Sequence, residues 1–207
     1  SAHGDAQELA LMKEMVLDKF KDAVNESAST GYIPEYITLT HQDDSTWCTC
    51  DTCIASRDKY DGCNSAILIQ FVNDVAIELN KWVSEVYPGN EVNVTIFAYY
   101  KTEAAPVVQN ADGSYSPIDE TVDCNKNVAI LYAPIYADYS VDFYDACNNT
   151  FYNRLKQWSA LSDKLLLWTY CSDYGDYFAF SDTFNSMVAN YKLLEESGVK
   201  WLFDEGR

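Results

Sequence analysis

Tyr36-Ile37-Thr38-Leu39-Thr40-His41-Gln42-Asp43-Asp44-Ser45-Thr46-Trp47-Cys48-Thr49-Cys50-Asp51-Thr52-Cys53 opens as a short β-rich run, Tyr36 to Thr40. Straight after it come His41, the adjacent carboxylates Asp43 and Asp44, Trp47 and three of the seven cysteines. Reactive side chains this dense mark a site. In α/β proteins ligands bind beyond the carboxyl ends of the strands, so a strand that runs directly into His41, Asp43 and Asp44 presents them where chemistry is done.

On the amino-terminal side of this stretch, Leu9, Met12, Val16, Phe20 and Val24 recur at the spacing of a helix with one buried face. Pro34 and the Ser-Thr-Gly before it end that helix. On the carboxyl side, Asp61-Gly62-Cys63-Asn64-Ser65 supplies a turn and a cap. Ile67, Leu68, Phe71, Val72, Val75, Leu79, Trp82, Val83 and Val86 then mark a second long helix, which Tyr87-Pro88-Gly89 stops. Val92 to Tyr100 is the clearest strand, and a polar loop leads from it to a further apolar run, Val128 to Ile135. A helix through Phe143, Cys147, Phe151, Leu155 and Trp158, a buried strand Leu165 to Tyr170, a helix from Phe184 to Leu194 and a strand from Val199 to Phe203 complete the order α, β, α, β, β, α, β, α, β.

This alternation predicts one α/β domain over residues 1–207 with about five mainly parallel strands and flanking helices. Five strands without an internal repeat are too few for a closed eight-stranded barrel, so the sheet is either open or the carboxyl-terminal part of an incomplete TIM-barrel-like ring. Such a sheet has unpaired edges, to be covered by the loop from Thr102 to Asn127, by helices or by self-association with another copy.

The charge balance, 32 acidic against 14 basic residues for a net −18, disfavours nucleic acid and anionic lipid, and no basic cluster offsets it. No apolar run is long enough to span a membrane. The 14% aromatic content suits sites that stack on sugar rings, although tyrosine-rich cores share it. Ser1-Ala2-His3-Gly4 carries neither an initiator Met nor a signal peptide and reads as the start of an excised piece.

Asp43 and Asp44 are the candidate catalytic pair. Glycosidic cleavage needs one acid to protonate the leaving oxygen and a second carboxylate to stabilise developing positive charge; the competing reading is a turn or helix cap. Candidate substrate-binding residues are His41 and Trp47 in the same stretch, then Tyr99 and Tyr100, Tyr136 and Asp138, Trp168 and Tyr170, and Asp204 and Glu205 at the other strand ends. Together these rings and carboxylates can line a sugar cleft, while any one alone is more often packing or a solvated loop. His41 by itself is more often a hydrogen-bonded structural residue than a base. Cys48, Cys50, Cys53 and Cys63 lack the paired CxxC…CxxC form of a strong zinc motif, so they are read as a structural staple, by disulfides or thiols, with zinc the alternative. No metal and no cofactor is called for.

Several pieces resemble a known bacterial family, the domain of unknown function 4838, whose characterised members are glycoside hydrolase family 163 endo-acting β-N-acetylglucosaminidases. They are Gln42-Asp43-Asp44 before Trp47-Cys48-Thr49-Cys50-Asp51-Thr52-Cys53, Phe71-Val72-Asn73-Asp74-Val75-Ala76, Tyr87-Pro88, Ala98-Tyr99-Tyr100 with Pro106, Asn127-Val128, Cys147 with Asn149 and Phe151, Trp158, Trp168-Thr169-Tyr170, and Gly198-Val199-Lys200 through Phe203-Asp204-Glu205-Gly206. The pieces run in family order over most of the chain. The resemblance implies a TIM-like barrel whose carboxyl-terminal strands this chain supplies, a glycan substrate containing N-acetylglucosamine, and an extracellular or cell-surface setting in bacteria. It also implies a retaining mechanism in which the substrate's own acetamido group attacks the anomeric carbon. Asp44 is then the candidate acid and Asp43 the candidate for orienting the acetamido group. Two departures stand out: Thr169 where relatives typically have the acid of Trp-Asp-Tyr, and no His-Pro before the Cys147 helix. They keep a non-catalytic carbohydrate-binding or scaffold role open as the alternative. With only part of a barrel wall, the chain by itself is expected to be inactive.

Overall fold

A computed structural model describes residues 6–43, 47–170 and 182–205. The elements are α1 (Ala6–Ser29), β1 (Tyr36–Leu39), α2 (Asp51–Asp58), α3 (Asn64–Val86), β2 (Asn93–Ala98), β3 (Val107–Gln109), β4 (Tyr115–Pro117), β5 (Val128–Tyr132), α4 (Asn149–Ser159), β6 (Leu165–Tyr170), α5 (Met187–Glu196) and β7 (Val199–Glu205). Five strands form one sheet in the order β1-β2-β5-β6-β7, and every neighbouring pair is parallel. The predicted α/β class and parallel sheet are therefore present. Among the described residues the sheet is open, with β1 and β7 at its edges, and no closed barrel forms.

The strand order explains where the helices lie. A parallel crossover is right-handed, so strands laid down in one direction across a sheet send their crossovers to the same side. On that side Val94, Ile96 and Ala98 of β2, Val128, Ile130 and Tyr132 of β5, and Leu165 and Leu167 of β6 form the main core. Ile69, Val72 and Leu79 of α3, Phe151, Leu155 and Trp158 of α4, and Leu193 and Leu194 of α5 pack onto them. In α3 the fully buried apolar positions 66, 69, 72, 75, 76, 79 and 83 follow the three-to-four spacing of a single face. Its Asn80 side chain bonds both the N–H and the carbonyl of Val92, at 2.9 and 2.8 Å, and so fixes where β2 begins.

Alternate strand residues face the other way. Ala129, Leu131 and Leu166 form a small apolar cluster there, with Tyr36, Phe97 and Trp168 packed against it. Trp201 and Phe203 are on this face too, paired in register with Leu166 and Trp168, and remain exposed.

The segment from Thr102 to Asn127 does not cover an edge of the sheet. It joins two inner strands, β2 and β5, and contains the antiparallel β3–β4 hairpin. α3 holds it from the side: Asn73 donates to the Asp123 carbonyl at 2.8 Å and accepts from the Asn125 N–H at 2.9 Å. No helix among the described residues is long and apolar enough to cross a membrane.

Candidate functional site

A cleft of about 340 Å³ opens at the carboxyl ends of the strands, on the face that carries Phe97 and Trp168, where no helix packs among the described residues. Every strand of the sheet contributes to it or through the residues that follow: Thr40, His41 and Asp43 after β1, Phe97 and Tyr99 at β2, Ala133 and Ile135 after β5, Trp168 and Tyr170 of β6, and Glu205 of β7. Six of the predicted residues, His41, Asp43, Tyr99, Trp168, Tyr170 and Glu205, thus meet in one place.

The turn after β2 sets the wall beside β1. Tyr100 takes a left-handed backbone with φ 49°, unusual for a residue with a side chain, and begins a 3₁₀ turn from Tyr100 to Thr102. That turn buries Thr102, whose hydroxyl lies 2.8 Å from the Phe97 carbonyl, 3.3 Å from the Tyr99 N–H and 3.1 Å from His41 Nε2. The other ring nitrogen, Nδ1, is 3.1 Å from the Gln42 carbonyl. A carbonyl can only accept, so the proton on Nδ1 reaches the Gln42 carbonyl, while the single Thr102 hydroxyl hydrogen is shared among the Phe97 and Tyr99 carbonyls and His41 Nε2. With both nitrogens engaged, His41 serves as a brace between the ends of β1 and β2. The Tyr99 phenol resists ionisation, first because it is buried and then because Tyr170 and the Asp43 carboxylate stand close by. It therefore stays a neutral hydrogen-bonding group in the cleft.

The far wall comes from β6 and β7. The Trp168 indole N–H donates to the Glu205 carboxylate at 2.8 Å, and the Trp168 ring lies 6.0 Å from Phe97 and 4.5 Å from Phe203. Two described carboxylates, Asp43 and Glu205, therefore face one cleft from opposite edge strands, with aromatic rings between them.

Other predicted residues lie elsewhere. Asp204 pairs in register with Thr169, one residue out of phase with Trp168 and Glu205, and so faces the helices, where it accepts from the Thr169 and Tyr191 hydroxyls. Asp138 accepts from the N–H and hydroxyl of Ser140 in an exposed turn, bonds that hold its carboxyl below the usual range. Tyr100 and Tyr136 touch each other through their phenols outside the cleft lining, and Tyr136 is 81% exposed. Trp47 is half-buried, with an indole N–H that has no hydrogen-bond partner among the described residues. Asp44, the candidate acid, lies outside the described residues. Thr40, Phe97, Ala133 and Ile135 were not predicted as lining. Strand parity reveals Phe97, which is two residues before Tyr99 on β2.

The predicted four-cysteine staple divides. Cys63 is buried apart from the others and bonds Ser65 Oγ and the Ala104 carbonyl, each at 2.9 Å. Cys48, Cys50 and Cys53 gather at the start of α2, their sulfurs all within 4.8 Å of one another. All four are thiols in this structure, not disulfides.

No curated protein matches the chain. Residues 7–207 match the family described as domain of unknown function (DUF4838), and the chain belongs to that family.

Proposed function

We propose that the cleft is a glycoside hydrolase site for N-acetylglucosamine-containing glycans, of the kind its resemblance to glycoside hydrolase family 163 implies, set in a TIM-barrel-like sheet. One observation carries the reading: aromatic residues Tyr99, Trp168 and Tyr170 and the carboxylates Asp43 and Glu205 converge on one cleft at the strand ends. Rings stack on the apolar faces of pyranoses and carboxylates accept from hydroxyl and amide groups. The sheet supports the barrel part. A doubly wound sheet reverses its strand order and carries helices on both faces, whereas here the order never reverses. Four steps of about 4.8 Å separate β1 from β7 along the sheet, yet both edges reach one cleft. A sheet curled around that cleft accounts for this.

In this mechanism the carbonyl oxygen of the substrate's acetamido group attacks the anomeric carbon. Asp43 accepts from the acetamido N–H and holds it in line. Asp44 gives its proton to the departing sugar oxygen, and water then opens the cyclic intermediate with retention. Glu205, oriented by Trp168, grips substrate hydroxyls.

A second reading, glycan binding without cleavage, draws on Thr169, which stands where relatives typically have an acid. Thr169 is buried on the helix side and bonded to Asp204, so its replacement leaves the carboxylates of the cleft in place. Hydrolysis is therefore the primary reading. It is tested by turnover of a chromogenic β-N-acetylglucosaminide or a complex N-glycan by the protein that carries this chain, beside Asp43→Asn and Asp44→Asn. Each variant is expected to lose about 10²–10⁴-fold, the usual worth of a positioned acid or base. Binding without turnover in the unaltered protein selects the second reading. Absence of both binding and turnover rejects the two together.

A further inference from the structure

We propose that Cys48, Cys50 and Cys53 form a zinc-binding site separate from the glycan cleft. Their three sulfurs lie within 4.8 Å of one another. Ligands about 2.3 Å from one tetrahedral zinc are about 3.8 Å apart, so small side-chain rotations bring all three onto a single ion. The local fold gathers them for this purpose: Cys50 is the amino-terminal cap residue of α2 and Cys53 lies in its first turn. That helix end turns backbone N–H groups and the positive end of its dipole toward the ligand sulfurs, as a negatively charged ligand set requires.

The chemistry of the donor set selects the ion. Three thiolates are soft ligands that prefer zinc to magnesium or calcium, which take oxygen. Cys53 is buried, Cys48 half-buried and Cys50 exposed, so the cluster has an anchored floor and an open approach. The buried indole N–H of Trp47, the residue before Cys48, has no hydrogen-bond partner among the described residues. It is the type of outer donor that supports a charged thiolate ligand. Cys63 is excluded as the fourth ligand because Ser65 and the Ala104 carbonyl hold it elsewhere. The fourth position is left to water or to an exchangeable ligand.

Zinc here fixes the stretch between β1 and α2, the one that carries Asp43 into the cleft. Its function is structural, and it takes no part in the proposed hydrolysis.

The test uses the full chain, purified under reducing conditions without chelator. Elemental analysis is expected to find one zinc per chain, and cobalt(II) exchanged into the site is expected to give thiolate-to-cobalt charge-transfer absorption with tetrahedral visible bands. Cys50→Ser, at an exposed position that folding tolerates, should weaken zinc binding by more than about 100-fold, beyond the loss caused by an outer-shell change. Cys48→Ser and Cys53→Ser should do the same, while Cys124→Ser and Cys147→Ser should keep the cobalt spectrum. The proposal is overturned if the reduced, folded chain retains no zinc and shows no cobalt–thiolate absorption, or if that absorption survives Cys50→Ser. A mass spectrum showing a disulfide within the trio in protein purified this way overturns it as well. None of these readouts depends on glycan turnover, so this proposal and the hydrolase reading stand or fall separately.

Discussion

Trp168 on β6 donates its indole N–H to the Glu205 carboxylate on β7 at 2.8 Å, on the face of the sheet opposite the main core. This bond orients the one described carboxylate that β7 contributes to the cleft. Trp168→Phe keeps most of the ring and removes the donor. A hydrogen bond to a charged group contributes about 1.5–3 kcal/mol, and partial exposure of both partners reduces this, so the expected loss is about 1 kcal/mol in urea denaturation. Glu205→Gln, which keeps an acceptor, should lose less. Equal stability of Trp168→Phe and the unaltered chain would show that the bond does not hold in solution.

Thr102 is fully buried, and its hydroxyl meets Phe97, Tyr99 and His41. Thr102→Val preserves shape and leaves those groups unsatisfied, at an expected cost of about 1–3 kcal/mol. Because the same hydroxyl braces the ends of β1 and β2, the glycan binding proposed for the cleft should weaken too. Thermal unfolding and a glycan titration on one preparation measure both effects. A variant as stable as the parent contradicts the brace.

Asp119 accepts from the N–H and hydroxyl of Thr121, pairs with Lys59 at 3.1 Å and accepts from the buried Tyr60 phenol at 3.1 Å. These contacts, the Thr121 hydroxyl foremost, hold its carboxyl down at about 2, against an ordinary 3.8. A carboxyl depressed on folding stabilises the fold above its unfolded value, and the contribution is lost as pH falls through the folded one. Stability should therefore decline between about pH 4 and pH 2. Asp119→Asn should flatten that part of the profile in denaturant titrations at stepped pH. An unchanged acid limb in the variant rules out this assignment.

The sheet is legible because β5 and most of β6 are continuous apolar runs bounded by turn residues, the pattern of strands buried on both faces, and β2 is rich in β-branched and aromatic residues. α2 leaves no trace in the sequence pattern: its eight residues, Asp51–Asp58, bury only Cys53, too little for a periodic apolar signal. The β3–β4 hairpin has a turn signal in Asp112-Gly113, but strands of only three residues each give no alternation to distinguish it from loop. In the site, composition identified the strand ends but not which way each residue points. Asp204 and Glu205 are equivalent by type and opposite by parity. Only pairing with β6, which includes a bulge between Leu165 and Leu166, settles that Glu205 enters the cleft and Asp204 does not.

β7 is an edge strand with Trp201 51% and Phe203 38% exposed, their rings stacked at 6.1 Å. An exposed apolar edge of this kind promotes pairing between chains. Reversible self-association is expected in sedimentation velocity as concentration rises, and Trp201→Lys should abolish it. A chain that stays monomeric throughout contradicts the expectation.

The most direct test of the central claim, that the strand-end cleft recognises N-acetylglucosamine, is titration of isotope-labelled chain with N,N′-diacetylchitobiose followed by amide and indole NMR shifts. The account predicts saturable shifts at Asp43, Tyr99, Tyr170 and the Trp168 indole. It predicts their loss in Asp43→Asn, and none with cellobiose, which lacks the acetamido group. Shifts confined to other surfaces, or equal responses to the two disaccharides, would contradict it.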